Sequence, residues 1–279
     1  MIRICDVSKS FDNQNILDNV SLTIDAGERA ALVGPGGCGK STLLKILLGL
    51  VSPDSGSTEL MNVSMTHSSI YEREQILKSV GMAFQQGGLF DFMTVEENLS
   101  FAMKHMTDFS AEAIHEKIQK LLLAIKLPRI SSLYPHELSG GMKRRVGIAR
   151  ALATEPTIAL FDEPTSGLDP VTSTIILNMI NELAQSQDNS SLIVATSNVE
   201  IAIRFAPRII VLHEGKIIAD GPWRDLLTEG SPWVQHFLSV RLIGLSPEYA
   251  LELNLPHKFF KQHWPDTDWH PKQLQPTAM

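Results

Sequence analysis

The stretch Gly34-Pro35-Gly36-Gly37-Cys38-Gly39-Lys40-Ser41 constrains this chain more than any other. It has the spacing G-x-x-x-x-G-K-S and lies between an apolar run, Ala30-Ala31-Leu32-Val33, and a helical pattern from Ser41 to Leu50. A buried strand that runs into a helix N-terminus aims backbone N–H groups and the positive end of the helix dipole at a polyphosphate. Glycines let the backbone wrap the phosphates, Lys40 is placed to reach the β and γ oxygens, and the Ser41 hydroxyl is placed to ligate Mg²⁺. An ordinary Gly-rich turn has no need of Lys-Ser at the start of a helix. The loop predicts ATP or GTP binding through Gly34, Pro35, Gly36, Gly37, Cys38, Gly39, Lys40, Ser41 and Thr42.

The chain has 279 residues, enough for one large domain or two with an ample core. Its net charge of −7 argues against nucleic acid as a partner. Cys5 and Cys38 make no disulfide framework, and Cys38 lies inside the phosphate loop, which favours a reducing cytosol. No apolar run approaches 18 residues and the first residues lack a signal-peptide core. A role at a membrane would therefore depend on another chain.

Short strands are expected at Ile2–Ile4 and Val20–Ile24, with a turn over 25–28 and another at Pro53-Asp54-Ser55-Gly56. A strand around 79–84 leads into Gln85-Gln86-Gly87-Gly88. The period then becomes helical. Thr94 and Ser110 are N-cap candidates, and Ile114, Ile118, Leu121, Leu122 and Ile125 form one apolar face that Pro128 should end. A third helix should begin near Ser139. Strands return at 157–161, 191–196 and 209–212, with a helix over 172–184 and a hairpin at Val211-Leu212-His213-Glu214-Gly215. Strand–helix alternation around the phosphate loop predicts a mainly parallel, helix-covered sheet interrupted by an all-helical segment.

Two further motifs sit in a fixed order. Leu138-Ser139-Gly140-Gly141-Met142 is a Ser-Gly-Gly turn opening a helix, itself an anion site. Thr157-Ile158-Ala159-Leu160-Phe161-Asp162-Glu163 is an apolar strand ending in paired carboxylates at the carboxyl edge of the sheet, where ligands bind in open α/β folds. With the phosphate loop, these residues resemble the nucleotide-binding subunit of an ATP-binding-cassette (ABC) transporter over about residues 2–225. The resemblance implies an α/β fold: a P-loop NTPase (RecA-like) core with a small antiparallel β subdomain over 1–93 and 156–228, and an inserted helical signature subdomain over 94–155. A C-terminal extension, 229–279, is then a candidate to pack on a partner subunit.

The resemblance also implies roles. Asp162 holds Mg²⁺ with Ser41 and Gln85, while Glu163 polarises the attacking water. Ser139, Gly140 and Gly141 serve the nucleotide of a second copy, and Ser166-Gly167-Leu168-Asp169 is a dimer-contact loop. Phe11 stacks on adenine. Gln85 senses the metal beside a membrane permease; Gln86 is the alternative register. ATP and Mg²⁺ are the expected cofactors, a second ATP-binding subunit and an integral permease the expected partners, and the cytoplasmic face of the inner membrane the expected place.

One position departs from the pattern. Where such cassettes usually carry a histidine that contacts the γ-phosphate, the sequence runs Thr196-Ser197-Asn198. Serine donates one hydrogen bond but carries no charge and spans less distance. Catalysis is expected to rest on Glu163, Lys40 and Ser197, with slow turnover or an ATP-gated subunit as the alternative; Asn198 is a candidate to compensate. Met142-Lys143-Arg144-Arg145 resembles the ATPases of MCE-linked lipid transporters, which implies phospholipid transport and an MCE-domain protein as a further partner. The alternatives are a solvated basic helix face and a transporter for another solute. Ser231-Pro232 and Ser246-Pro247 each read as a helix start, and Phe259, Phe260, Trp264 and Trp269 give the tail apolar surface to bury.

Overall fold

A computed structural model describes residues 1–185, 190–243, 255, 256 and 259. The chain begins with two long antiparallel strands, β1 (Ile2–Phe11) and β2 (Gln14–Ile24), followed by β3 (Arg29–Val33) and, past the phosphate loop, helix α1 (Lys40–Leu47). Next come β4 (Ser55–Leu60), β5 (Val63–Ser64), α2 (Ile70–Leu77) and β6 (Val80–Ala83). A helical stretch follows: α3 (Val95–Met106), α4 (Ala111–Ala124), a 3-10 turn at Pro135–Glu137, and α5 (Gly140–Leu152). The chain then alternates through β7 (Ile158–Asp162), α6 (Pro170–Gln185), β8 (Ser191–Thr196), α7 (Val199–Phe205), β9 (Arg208–His213), β10 (Lys216–Pro222), α8 (Trp223–Glu229) and α9 (Pro232–Ile243).

The strands form two sheets. One is antiparallel, ordered β2-β1-β4-β5; the other is ordered β10-β9-β3-β8-β7-β6 and is parallel except for its β10 edge. Both faces of the parallel sheet are covered, which explains its unbroken apolar strands. Ala30 and Leu32 of β3, with Ile158 and Leu160 of β7, face a core shared with α1 and the antiparallel sheet. Ala31, Val33, Ala159 and Phe161 face the opposite core, under α5, α6 and α7. One layer of strands thus joins the antiparallel sheet to the helices.

Local chemistry sets the helix starts. Thr94 caps α3 in a capping box with Glu97, and Ser110 and Ser139 cap α4 and α5. Pro128 does not end α4. The helix stops at Ala124, because Lys126 turns left-handed (φ 57°) and the Leu127 N–H reaches back to the Leu122 carbonyl. The strand expected at 2–4 runs on to Phe11. At the other end, Glu214 and Gly215 both take positive φ and close the β9–β10 hairpin.

The first helix of the C-terminal extension packs on its own chain. Val234, Leu238 and Leu242, spaced four apart, are fully buried in the helical-side core. Trp233 stacks between His213, at 3.9 Å, and Phe237, at 5.1 Å. Leu255 and Phe259 are buried in the same core. Ser246-Pro247, Phe260, Trp264 and Trp269 lie outside the described residues.

Candidate functional site

The phosphate loop joins β3 to α1, and Gly39 is where it needs both a left-handed backbone and a close approach. There φ is 107°, and a Cβ would sit 2.7 Å from the Leu17 side chain and 2.9 Å from the Ile16 carbonyl oxygen. Any other residue would push the loop off β2. Lys40 is buried and its amine donates to the Gly34 and Pro35 carbonyls at 2.9 and 3.1 Å, with a Glu163 carboxylate oxygen at 3.5 Å. Ser41 donates to Asp162 Oδ1 at 2.8 Å. Gly34, Pro35 and Cys38 form the back of the loop; burial pushes the Cys38 thiol up, countered in part by Lys40.

The acidic strand ends beside the close of the phosphate loop, where Ser41 meets Asp162 at the start of α1. Burial raises the Asp162 carboxyl above its ordinary range, and the Ser41 hydrogen bond offsets part of that rise. Glu163, one residue on, has φ 46°, a conformation that costs a non-glycine residue free energy and concentrates at functional sites. Its N–H bonds the Ala195 carbonyl at 2.8 Å, which fixes the carboxylate against the end of β8. The buried Thr196 hydroxyl donates to Glu163 Oε2 at 3.2 Å while accepting from the Asn198 N–H at 3.1 Å. Thr196 was not read as a site residue. Its signal was a lone hydroxyl closing the apolar strand just ahead of Ser197.

An open cleft of about 430 Å³ gathers much of the expected constellation. Phe11, Gly36, Gly37, Gly39, Lys40, Ser41, Thr42, Gln85, Glu163, Ser166 and Ser197 line it, together with Ile16, which the sequence reading missed. Phe11 is 45% exposed. Gln85 lines this cleft, and Gln86 lines the second cleft described below. Asn198 does not compensate for Ser197 through its side-chain oxygen, because that atom caps α7, accepting from the Glu200 and Ile201 N–H groups. His213 is stacked on Trp233.

Gly140 and Gly141 lie on a second cleft, with Gln85, Ser166, Gly167, Leu168 and Arg144. Ser139 accepts from the Met142 N–H at 3.3 Å, so the turn sits at the head of α5 with its dipole pointing outward. Asp169 accepts from the Thr172 N–H and hydroxyl, at 2.9 and 2.6 Å, and these bonds hold its carboxyl below the ordinary range. It starts α6 and does not enter the nucleotide cleft. Gln85 and Ser166 line both clefts.

Residues 17–166 match the ABC transporter family. The chain belongs to that family. The intermembrane phospholipid transport ATP-binding protein MlaF of Escherichia coli is 35% identical over 85% of this chain and 88% of its own length. The arginine transport ATP-binding protein ArtM of Bacillus subtilis is 37% identical over 85% of this chain and 98% of its own. Among solved structures, a dimeric ATP-binding cassette in a post-hydrolysis state with ADP and Pi superposes with a TM-score of 0.73, at 31% identity over 80% of this chain and 98% of that one. The chain is thus an ATP-hydrolysing ABC cassette with the expected P-loop fold, and such cassettes act as dimers with a membrane partner. Among the described residues no helix is long and apolar enough to cross a membrane.

Proposed function

We propose that this cassette powers a phospholipid transporter from the cytoplasmic face of the inner membrane. Two copies would close around two ATP molecules and drive a separate permease, with an MCE-domain protein handling lipid beyond it. The likeness to MlaF and the Met142-Lys143-Arg144-Arg145 sequence support the lipid reading; ArtM shows that the same cassette also serves other cargo in the family.

The observation that carries the permease reading is an apolar groove of about 280 Å³ beside the glutamine loop. Leu50, Phe84, Phe90, Phe101 and Met106 line it, between α1 and β6 on one side and α3 on the other. Phe90 meets Phe101 edge to face at 5.2 Å, and Phe92 beside it is 75% exposed. A rimmed apolar surface of this kind marks a protein contact. Its position lets a docked permease feel Gln85 directly. Phe101→Asp should leave ATP hydrolysis by the isolated chain unchanged within about twofold and abolish the stimulation given by the permease in phospholipid vesicles. Equal stimulation of both forms would remove the groove from the docking surface.

Ser41 and Gln85 line the cleft and Asp162 holds the Ser41 hydroxyl, an oxygen donor set suited to a hard cation that keeps phosphate and water as its other ligands. Bound there, Mg²⁺ would neutralise charge on the transferred phosphoryl group. Glu163 is held to receive a proton from water: Thr196 fixes one carboxylate oxygen and Lys40 stands by the other. The signature turn opens on its own cleft, which favours its action across the dimer.

Ser197 lines the nucleotide cleft without the reach of imidazole. Ser197→His should raise single-turnover hydrolysis by about tenfold, as a partly restored transition-state donor, while ATP affinity barely moves. A rate that is unchanged or lower in the histidine form would show that serine is a compensated replacement.

A further inference from the structure

Lys143, Arg144 and Arg145 follow the signature turn, and the arginines do not form a solvated face. Arg145 donates to the Ile125 carbonyl at the end of α4, within the helical segment. Arg144 points the other way. Its Nε donates to the Gln85 carbonyl at 3.1 Å, and a terminal amino group donates to the Ser166 carbonyl. Ser166 is itself tied to the site, because its N–H bonds the Glu163 carbonyl at 3.2 Å. One planar guanidinium therefore joins the signature helix, the glutamine loop and the dimer loop.

The glutamine loop and α5 already form one body. A Cβ on Gly147 would lie 2.6 Å from the Gly87 carbonyl oxygen, and one on Gly87 would lie 2.8 Å from that of Lys143. Arg150 adds a bond to the Gly88 carbonyl at 2.8 Å. The dimer loop meets this body through Arg144 and through Leu168, which lies beside Gly141. The Arg144 contact is directional: through Ser166 it reaches the turn that Glu163 begins, beside the backbone pairing of Ala83 with Phe161. Burial draws the Arg144 guanidinium below its ordinary range, and the nearby charge of Glu163 acts in the opposite direction.

We propose that Arg144 is a positioning residue that couples the two nucleotide sites of the dimer. It transmits the state of this chain's own cleft, registered at Gln85 and at Glu163 to Ser166, to the Ser139-Gly140-Gly141 turn that serves the partner's nucleotide. The inference rests on the proposed ATP-sandwich dimer. The two carbonyls belong to different loops, and Arg144 reaches them from two separate nitrogens of one rigid plane, where lysine offers a single nitrogen. Charge alone does not suffice.

The test uses the full chain and its Arg144→Lys and Arg144→Gln variants. ATP hydrolysis is followed against ATP concentration, ATP affinity is measured by calorimetry on dilute monomer, and the melting temperature is recorded. The unaltered chain should give a Hill coefficient near two, the number of sites. Both variants should fall toward one and lose about tenfold in turnover, with monomer affinity held within about twofold. Lysine should rescue no better than glutamine. Wild-type cooperativity and turnover in either variant would overturn the proposal. So would affinity and melting temperature falling in step with turnover, the mark of a residue that only holds the fold. An unaltered chain with a Hill coefficient of one and no ATP-dependent dimer would bring down the dimer reading, and this coupling with it.

Discussion

Glu163→Gln is expected to keep ATP bound while hydrolysis falls by about 10²–10⁴, the usual contribution of a positioned general base. The carboxylate stands one residue beyond the end of β7, with the Thr196 hydroxyl on one oxygen and the Lys40 amine near the other. Glutamine has the same shape and the same backbone preference at φ 46°, so the strained position costs no more than before. Its amide oxygen can still accept from Thr196. What it lacks is the basicity needed to take a proton from water. The substitution also removes a negative charge facing the phosphates, so ground-state affinity should hold or rise. With binding intact and the chemical step blocked, ATP remains a component of the dimer interface and closed dimers accumulate. Light scattering with ATP and Mg²⁺, beside a single-turnover assay, reads both effects. A variant that stays monomeric and still hydrolyses ATP would remove Glu163 from the role of base.

The chemistry of the site was legible because phosphate binding and water activation demand particular residues in a particular local order. A loop that wraps phosphate needs glycines and then Lys-Ser at a helix start, and all of these are neighbours in sequence. Residues that act through distant partners left no such trace. Arg144 meets carbonyls 59 and 22 residues away, so its basic run was equally consistent with a solvated helix. Thr196 meets Glu163 across 33 residues and looked like the end of a strand.

The fold shows the same division. Strands buried on both faces and helices with one apolar stripe were read, because burial writes a period into the sequence. Helix α7 was missed. Five of its seven residues are buried, and the polar side is reduced to one pair, Glu200 and Arg204, too little to set a period. Helix α2 buries none and depends on the Ser69–Glu72 capping box, a signal present in the sequence but followed by no apolar stripe. Pro128 drew attention as a helix stop, while the left-handed Lys126 that ends α4 carries no compositional mark. Capping rules located helix starts more closely than breaker residues located helix ends.

Lys40→Ala should lower ATP affinity by about 10²-fold or more, since each charge-assisted bond to phosphate contributes about 1.5–3 kcal/mol. The loss has two parts that can be separated. Lys40 is a buried cation with Glu163 at 3.5 Å, so its removal withdraws the attraction for phosphate and also leaves a half-buried carboxylate without its nearby counter-charge. That carboxylate then repels the incoming nucleotide. If repulsion contributes, Lys40→Ala combined with Glu163→Gln should bind ATP more tightly than Lys40→Ala alone. The two residues share one site, and their effects on binding should therefore not add. Lys40→Arg keeps the charge, but its larger head must find room between the Gly34 and Pro35 carbonyls that now hold the amine at 2.9 and 3.1 Å, so partial recovery is the expected result. Calorimetry on the four chains gives the cycle directly. Unchanged affinity in Lys40→Ala would sink the phosphate-loop assignment. Equal affinities for the single and double variants would show that Glu163 is too well held by Thr196 and the end of β8 to disturb the nucleotide.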